Sequence, residues 1–211
     1  MRARHVSADV SDHRWVALVR RLSTGLGAGV VGGALVGGLL GRLAMALLRA
    51  TSPRAVVGVT SDDGFEIGQV SVASLQLVVL TGIAGGLSGL IYTVFGTAVR
   101  QTRLRIGLWT AMGGAVGGAL IVHSDGVDFT LLKPAWLAVG LFVLLPALGA
   151  FTIAVLAERW AGVGAAAATF GPPAGTRGRG LAHARRLVPI VAGVAIVAGL
   201  VDLIVDIAEI T

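Results

Sequence analysis

Between Leu22 and Ala50 the chain reads LSTGLGAGVVGGALVGGLLGRLAMALLRA, with glycine at every fourth position: Gly25, Gly29, Gly33, Gly37 and Gly41. In water such a helix would be poorly stable, because each interior glycine costs about 1 kcal/mol relative to alanine. In a bilayer the backbone has to satisfy its own hydrogen bonds, which leaves helix as nearly the only choice. The four-residue spacing then lays the glycines along one slowly turning face that another helix can approach closely. The stretch predicts a transmembrane helix with a glycine-zipper face.

The rest of the composition agrees. Of the 211 residues 55% are hydrophobic and 13% charged, and the mean hydropathy is +0.86, the profile of a polytopic membrane protein. Cysteine is absent, which excludes disulfides, thiolate metal sites and cysteine nucleophiles. All basic residues but Lys133 are arginine and asparagine is missing, a usage that points to a GC-rich bacterial genome. An isoelectric point near 11.4 would suggest nucleic acid in a soluble domain. Here membrane topology accounts for the charge, and no nucleic-acid partner is expected.

Residues 1–21 carry five arginines, and Trp15, Leu18, Val19 and Leu22 fall at helical spacing behind a Ser11 N-cap. This predicts a short basic amphipathic helix on the membrane surface, the alternative being a frayed tail that obeys the positive-inside rule. Arg20-Arg21 and Ala44-Met45-Ala46 look like parts of an export signal. The apolar run is too long for one, and Arg42 stands just before the supposed cut, so the segment is read as a retained span.

Five spans follow from the apolar runs: about 22–50, 70–99, 106–122, 135–157 and 187–210. Thr51-Ser52-Pro53 stops the first. Asp62, Asp63 and Glu66 surround Gly64 in the next loop, an acidic turn lacking the ligand pattern of a calcium loop. Gly113 and Gly117 repeat the small-residue spacing in the third span, and the word VGGAL at 31–35 recurs at 116–120, a faint sign of duplicated two-helix units. Pro146 is expected to kink the fourth span. Residues 158–186, with Gly-Pro-Pro and five arginines, read as a flexible basic linker. The expected fold class is therefore all-α: a five-helix membrane bundle with glycine-zipper packing, preceded by an interfacial helix.

Charge tests the layout. The N-terminus and the segments 100–105 and 158–186 hold 13 arginines and three acids, whereas 51–69, 123–134 and the C-terminal end hold two basic residues and six acids. By the positive-inside rule the protein lies in the plasma (inner) membrane with its N-terminus cytoplasmic and its C-terminus outside. Four charges remain inside spans: Arg42 and Arg49 in the first, Asp202 and Asp206 in the fifth. Arg42 and Asp206 fall at similar depth, which predicts that Arg42 pairs with Asp206 or Asp202. The alternatives are snorkelling to the outer headgroups and pairing of Arg42 with the Asp62–Glu66 turn.

GRLAMALLRATSP at 41–53 followed by SDDGFEIG at 61–68 resembles a pattern in uncharacterised multi-pass membrane proteins of high-GC bacteria. The resemblance covers about 30 residues and implies that Arg42, Arg49 and the Asp62–Glu66 turn are shared features of that group. It carries no activity.

Catalytic signatures are missing. The four histidines lie outside the spans, and there is no HExxH, phosphate loop or nucleophile elbow. No cofactor or metal site is expected. The reading favoured is a non-enzymatic scaffold or accessory subunit, partnered by lipid and by a membrane protein or a second copy. The alternative is a small transporter or channel subunit using the intramembrane Arg/Asp charges.

Overall fold

A computed structural model describes residues 3–53, 72–99, 101–123, 133–161 and 178–210, and over these residues the chain is helical with no strand. α1 (Ala3–Gly32) passes into a π-helical segment (Gly33–Leu40) and then α2 (Gly41–Thr51), forming one continuous rod. α3 (Val72–Phe95), α4 (Thr102–Ile121), α5 (Ala135–Ala161) and α6 (Gly178–Ile210) follow. Among the described residues five helices are long and apolar enough to cross a membrane, beginning with Trp15–Thr51. Their outward faces are apolar: Leu35, Leu39, Leu43 and Leu47 are 47–57% exposed along the first rod. Such stripes would be unfavourable in water and are expected against lipid tails.

The helix boundaries differ from the expected ones in three places. α1 is continuous from Ala3 into the span, without a break after residue 21. Nothing there stops a helix, and the Ser23 and Thr24 hydroxyls donate back to the Arg20 carbonyl at 3.0 and 2.9 Å. The second span closes at Phe95 and tightens into turns over 96–98. Both ends of the expected 158–186 linker are helical, since α5 runs on to Ala161 and α6 begins at Gly178.

The first rod packs antiparallel to α3, and glycines set the distance. A Cβ built on Gly29 would overlap the Gly85 carbonyl, one on Gly25 would meet the Gly89 carbonyl, and one on Gly33 the Thr81 carbonyl. The match steps four residues forward on one helix and four back on the other. Gly85 and Gly89 answer in kind, against Gly29 and Gly25. Gly37 meets the Thr81 side chain, whereas Gly41 has nothing nearer than 4.0 Å. The π segment lies at this point. In an α-helix a four-residue stripe drifts by about 40° per step, because one turn takes 3.6 residues. The wider π turn reverses the drift locally, so both Gly37 and Gly38 still face α3.

α4 and α5 form a second close pair. Cβ atoms on Gly113 and Gly117 would run into Ala150 and Pro146 of α5. Pro146 thus sits within α5 on the face that meets the α4 glycines. Gly32 turns to Ile153 of α5, and Gly199 of α6 meets the Ala115 backbone of α4. α5 therefore touches both pairs, and α6 packs against α4. At one end, Met45 and Leu48 of α2 share an apolar cluster with Leu203, Ile207 and Ile210 of α6. At that same end the Lys133 amide donates to the Ser52 hydroxyl at 2.9 Å.

Candidate functional site

The opposite end is the arginine-rich one, where the C-termini of α3 and α5 meet the N-terminus of α4. Arg105, in the first turns of α4, is completely buried. Its guanidinium is used on every side. Nε donates to Glu158 Oε1 at 2.8 Å and lies 3.2 Å from the Tyr92 hydroxyl, and Nη2 also donates to Glu158 Oε1. Nη1 donates to the Val99 carbonyl at 2.7 Å and reaches the Gly96 carbonyl at 3.5 Å. Nη2 further reaches Thr102 Oγ1 at 3.3 Å. Tyr92 OH completes the set by donating to Glu158 Oε1 at 2.8 Å.

Local structure explains why the arginine lies there. α3 ends in short turns over Gly96–Val99 that leave carbonyls without amide partners. A cation near a helix C-terminus satisfies such carbonyls and complements the helix dipole. Glu158 then neutralises the buried charge, as a desolvated guanidinium requires. One turn further along α4, Trp109 packs edge-on to Tyr92 and tilted to Phe95, with ring centroids 5.5 Å apart in both pairs. Trp109 Nε1 and Thr110 Oγ1 are buried and make no hydrogen bond among the described residues.

Arg21 of α1 joins this end. It is half-buried, and its Nη2 donates to the Thr93 carbonyl at 2.9 Å. Arg105 and Glu158 are near enough for their charges to act on it. Its Nε is buried without a hydrogen-bond partner among the described residues.

The local sequence does not single out Arg105, Glu158 and Tyr92 as a cluster: Arg105 follows Arg100 and Arg103 at the end of a span, and Glu158 opens the basic 158–186 segment. Two features mark its partners. Glu158 is the single acid of the 158–186 segment, and the one tyrosine of the chain stands near the end of the second span.

The residues expected to matter are distributed as follows. Arg42 is half-buried with Nε and Nη2 out of contact with solvent, and Asp206 is half-buried. Arg49 and Asp202 are exposed. Arg42 stands one turn from Met45, and Asp206 lies between Leu203 and Ile207, so the two helix ends carrying them meet through the shared apolar cluster. Asp62, Asp63 and Glu66 lie outside the described residues. Gly25, Gly29, Gly33 and Gly37 face α3, Gly113 and Gly117 face α5, and Gly41 faces no neighbouring helix closely. Among the described residues no three metal-ligating side chains come together.

Comparison with protein-family models, with curated proteins and with solved structures found no match.

Proposed function

We propose that the chain is a non-enzymatic membrane helix bundle, a scaffold or accessory subunit of the bacterial plasma membrane with its N-terminus cytoplasmic and its C-terminus outside. The observation that carries this reading is the use made of buried polar chemistry. Arg105, Tyr92 and Glu158 spend their donors and acceptors on one another and on the end of α3, joining three helices. An enzyme site needs groups left free to act on a substrate. The glycine seams support the same reading, as a glycine zipper that fixes the helices at close approach. The first turns of α1, continuous with the span, then carry arginines at the cytoplasmic surface, and the apolar outer faces meet lipid, a membrane-protein partner or a second copy.

A specific observation favours a transporter or channel subunit as the second reading. Non-α backbone within a span accompanies transport pathways, and the Gly33–Leu40 π segment leads directly to half-buried Arg42. The two readings part on a charge swap between Arg42 and Asp206. Under the scaffold reading, Arg42→Asp and Asp206→Arg each lower folded yield and thermal stability in detergent, and the double swap regains part of the loss. A double swap no better than the sum of the singles removes the pair. Single variants that fold normally but lose an ion flux carried by the wild type in vesicles overturn the scaffold reading in favour of transport.

A further inference from the structure

At the arginine-rich end Arg21 lies near a second guanidinium, Arg105, and near the carboxylate of Glu158. Arg105 claims that carboxylate through both Nε and Nη2. Arg21 is left half-buried beside a second cation, with Nη2 on the Thr93 carbonyl and Nε buried with no acceptor. A partly desolvated cation in that position is unfavourable unless an anion joins it. The chain has little to offer: residues 100 and 162–177, which complete the loops at this end, contain no Asp or Glu, and Asp9 and Asp12 are more than two turns away along α1.

The surroundings identify the kind of anion. Arg20, Arg103 and Arg159 are exposed at the same end and make no ion pair among the described residues. Trp15 and Trp160 are 66% and 50% exposed beside them, on α1 and α5. Exposed tryptophan with arginine at the end of apolar spans is the composition of a headgroup-level belt. We infer that Arg21 binds the phosphate of an anionic phospholipid at the α1–α3 seam, through the part of its guanidinium that remains accessible and with Arg20 adding charge. Guanidinium suits this role because its donors fork onto phosphate oxygens while another holds the Thr93 carbonyl. The inference extends the scaffold reading but does not depend on it, since a transporter could hold the same lipid.

The test uses the full chain purified in mild detergent. Native mass spectrometry would follow retention of added phosphatidylglycerol against phosphatidylcholine. The wild type should prefer phosphatidylglycerol, Arg21→Gln should lower that preference about ten-fold, and Arg103→Gln should leave most of it. Equal retention of the two lipids by the wild type, or an unchanged preference in Arg21→Gln, overturns the inference. Stabilisation by inorganic phosphate equal to that by phosphatidylglycerol overturns the assignment to lipid. Should Arg21→Gln fail to fold, phosphatidylglycerol carrying a photoactivatable headgroup decides on the wild type. Labelling at 21–24 or 93–97 is expected, and labelling confined elsewhere overturns the site.

Discussion

Arg105 shows how far a residue's sequence position can mislead about its environment. It stands with Arg100 and Arg103 where a span ends, and positive-inside counting treats all such arginines as solvated. Arg105 instead turns inward, because α4 begins at Thr102 and its second turn faces the frayed end of α3. No periodicity in the local sequence separates Arg103, which is exposed, from Arg105, which is fully buried. The partners come from 13 residues earlier and 53 residues later, so only the tertiary fold brings them together. The energetic consequence can be tested. Glu158→Gln leaves a buried guanidinium without its counter-charge and is expected to destabilise by about 3–5 kcal/mol. Tyr92→Phe removes one hydrogen bond while keeping the ring against Trp109, and should cost about 1 kcal/mol. Thermal or denaturant unfolding in detergent would rank the two. Equal, small effects would mean that water already screens the cluster.

At the scale of elements, much of the bundle was legible. The apolar runs marked five helices of membrane length, and in the structure Gly25, Gly29 and Gly33 lie close to α3, and Gly113 and Gly117 close to α5. The pattern did not say which helix each face would meet, nor that the first rod would contain a π segment. Glycine, alanine, leucine and valine suit an α and a π turn equally well, and the choice follows from keeping Gly37 and Gly38 on α3. Nor could composition separate glycines in contact from glycines in open space. The structure does so, and substitution should follow it. Gly29→Ala and Gly85→Ala place a methyl into a facing carbonyl and are each expected to destabilise by about 1–3 kcal/mol. Gly140→Ala meets nothing within 4 Å and should be neutral or slightly stabilising, since alanine is the better helix former. Folded yield and melting temperature in detergent measure the contrast. Indifference of Gly29 and Gly85 would mean that the first rod and α3 separate outside the bundle described.

For the whole molecule, the arrangement of the five rods carries a topological prediction. Ser52 and Lys133 are tied by a hydrogen bond, so the end of α2 and the start of α5 lie at one end of the bundle. Arg105, Tyr92 and Glu158 tie the start of α4 and the ends of α3 and α5 at the other. The end of α6 clusters with Leu48 of α2, so the start of the first rod and the end of α6 lie at opposite ends of the bundle. The arginine-rich end carries exposed Arg20, Arg103 and Arg159, and the other carries exposed Arg49 and Lys133 together with Asp202 and Glu209. Arginine resists translocation, whereas Asp and Glu influence orientation little, and the segments at the arginine-rich end hold 13 arginines against two basic residues in those at the other, which predicts that the arginine-rich end is the cytoplasmic one. Reporters fused after Arg103 and near Arg177 should read cytoplasmic, and one fused at Thr211 should read outside. The three answers are coupled, because α6 runs parallel to α4, with Ala192 clustered near Trp109 at one end and Leu203 near Val122 at the other. A cytoplasmic reporter at Thr211 would require one of the five apolar helices not to cross, and the obvious candidate is α6. Asp206 would then sit at the wrong end to meet Arg42. That single result would remove both the topology and the charge pair, while leaving the Arg105 cluster, which needs only α3, α4 and α5, intact.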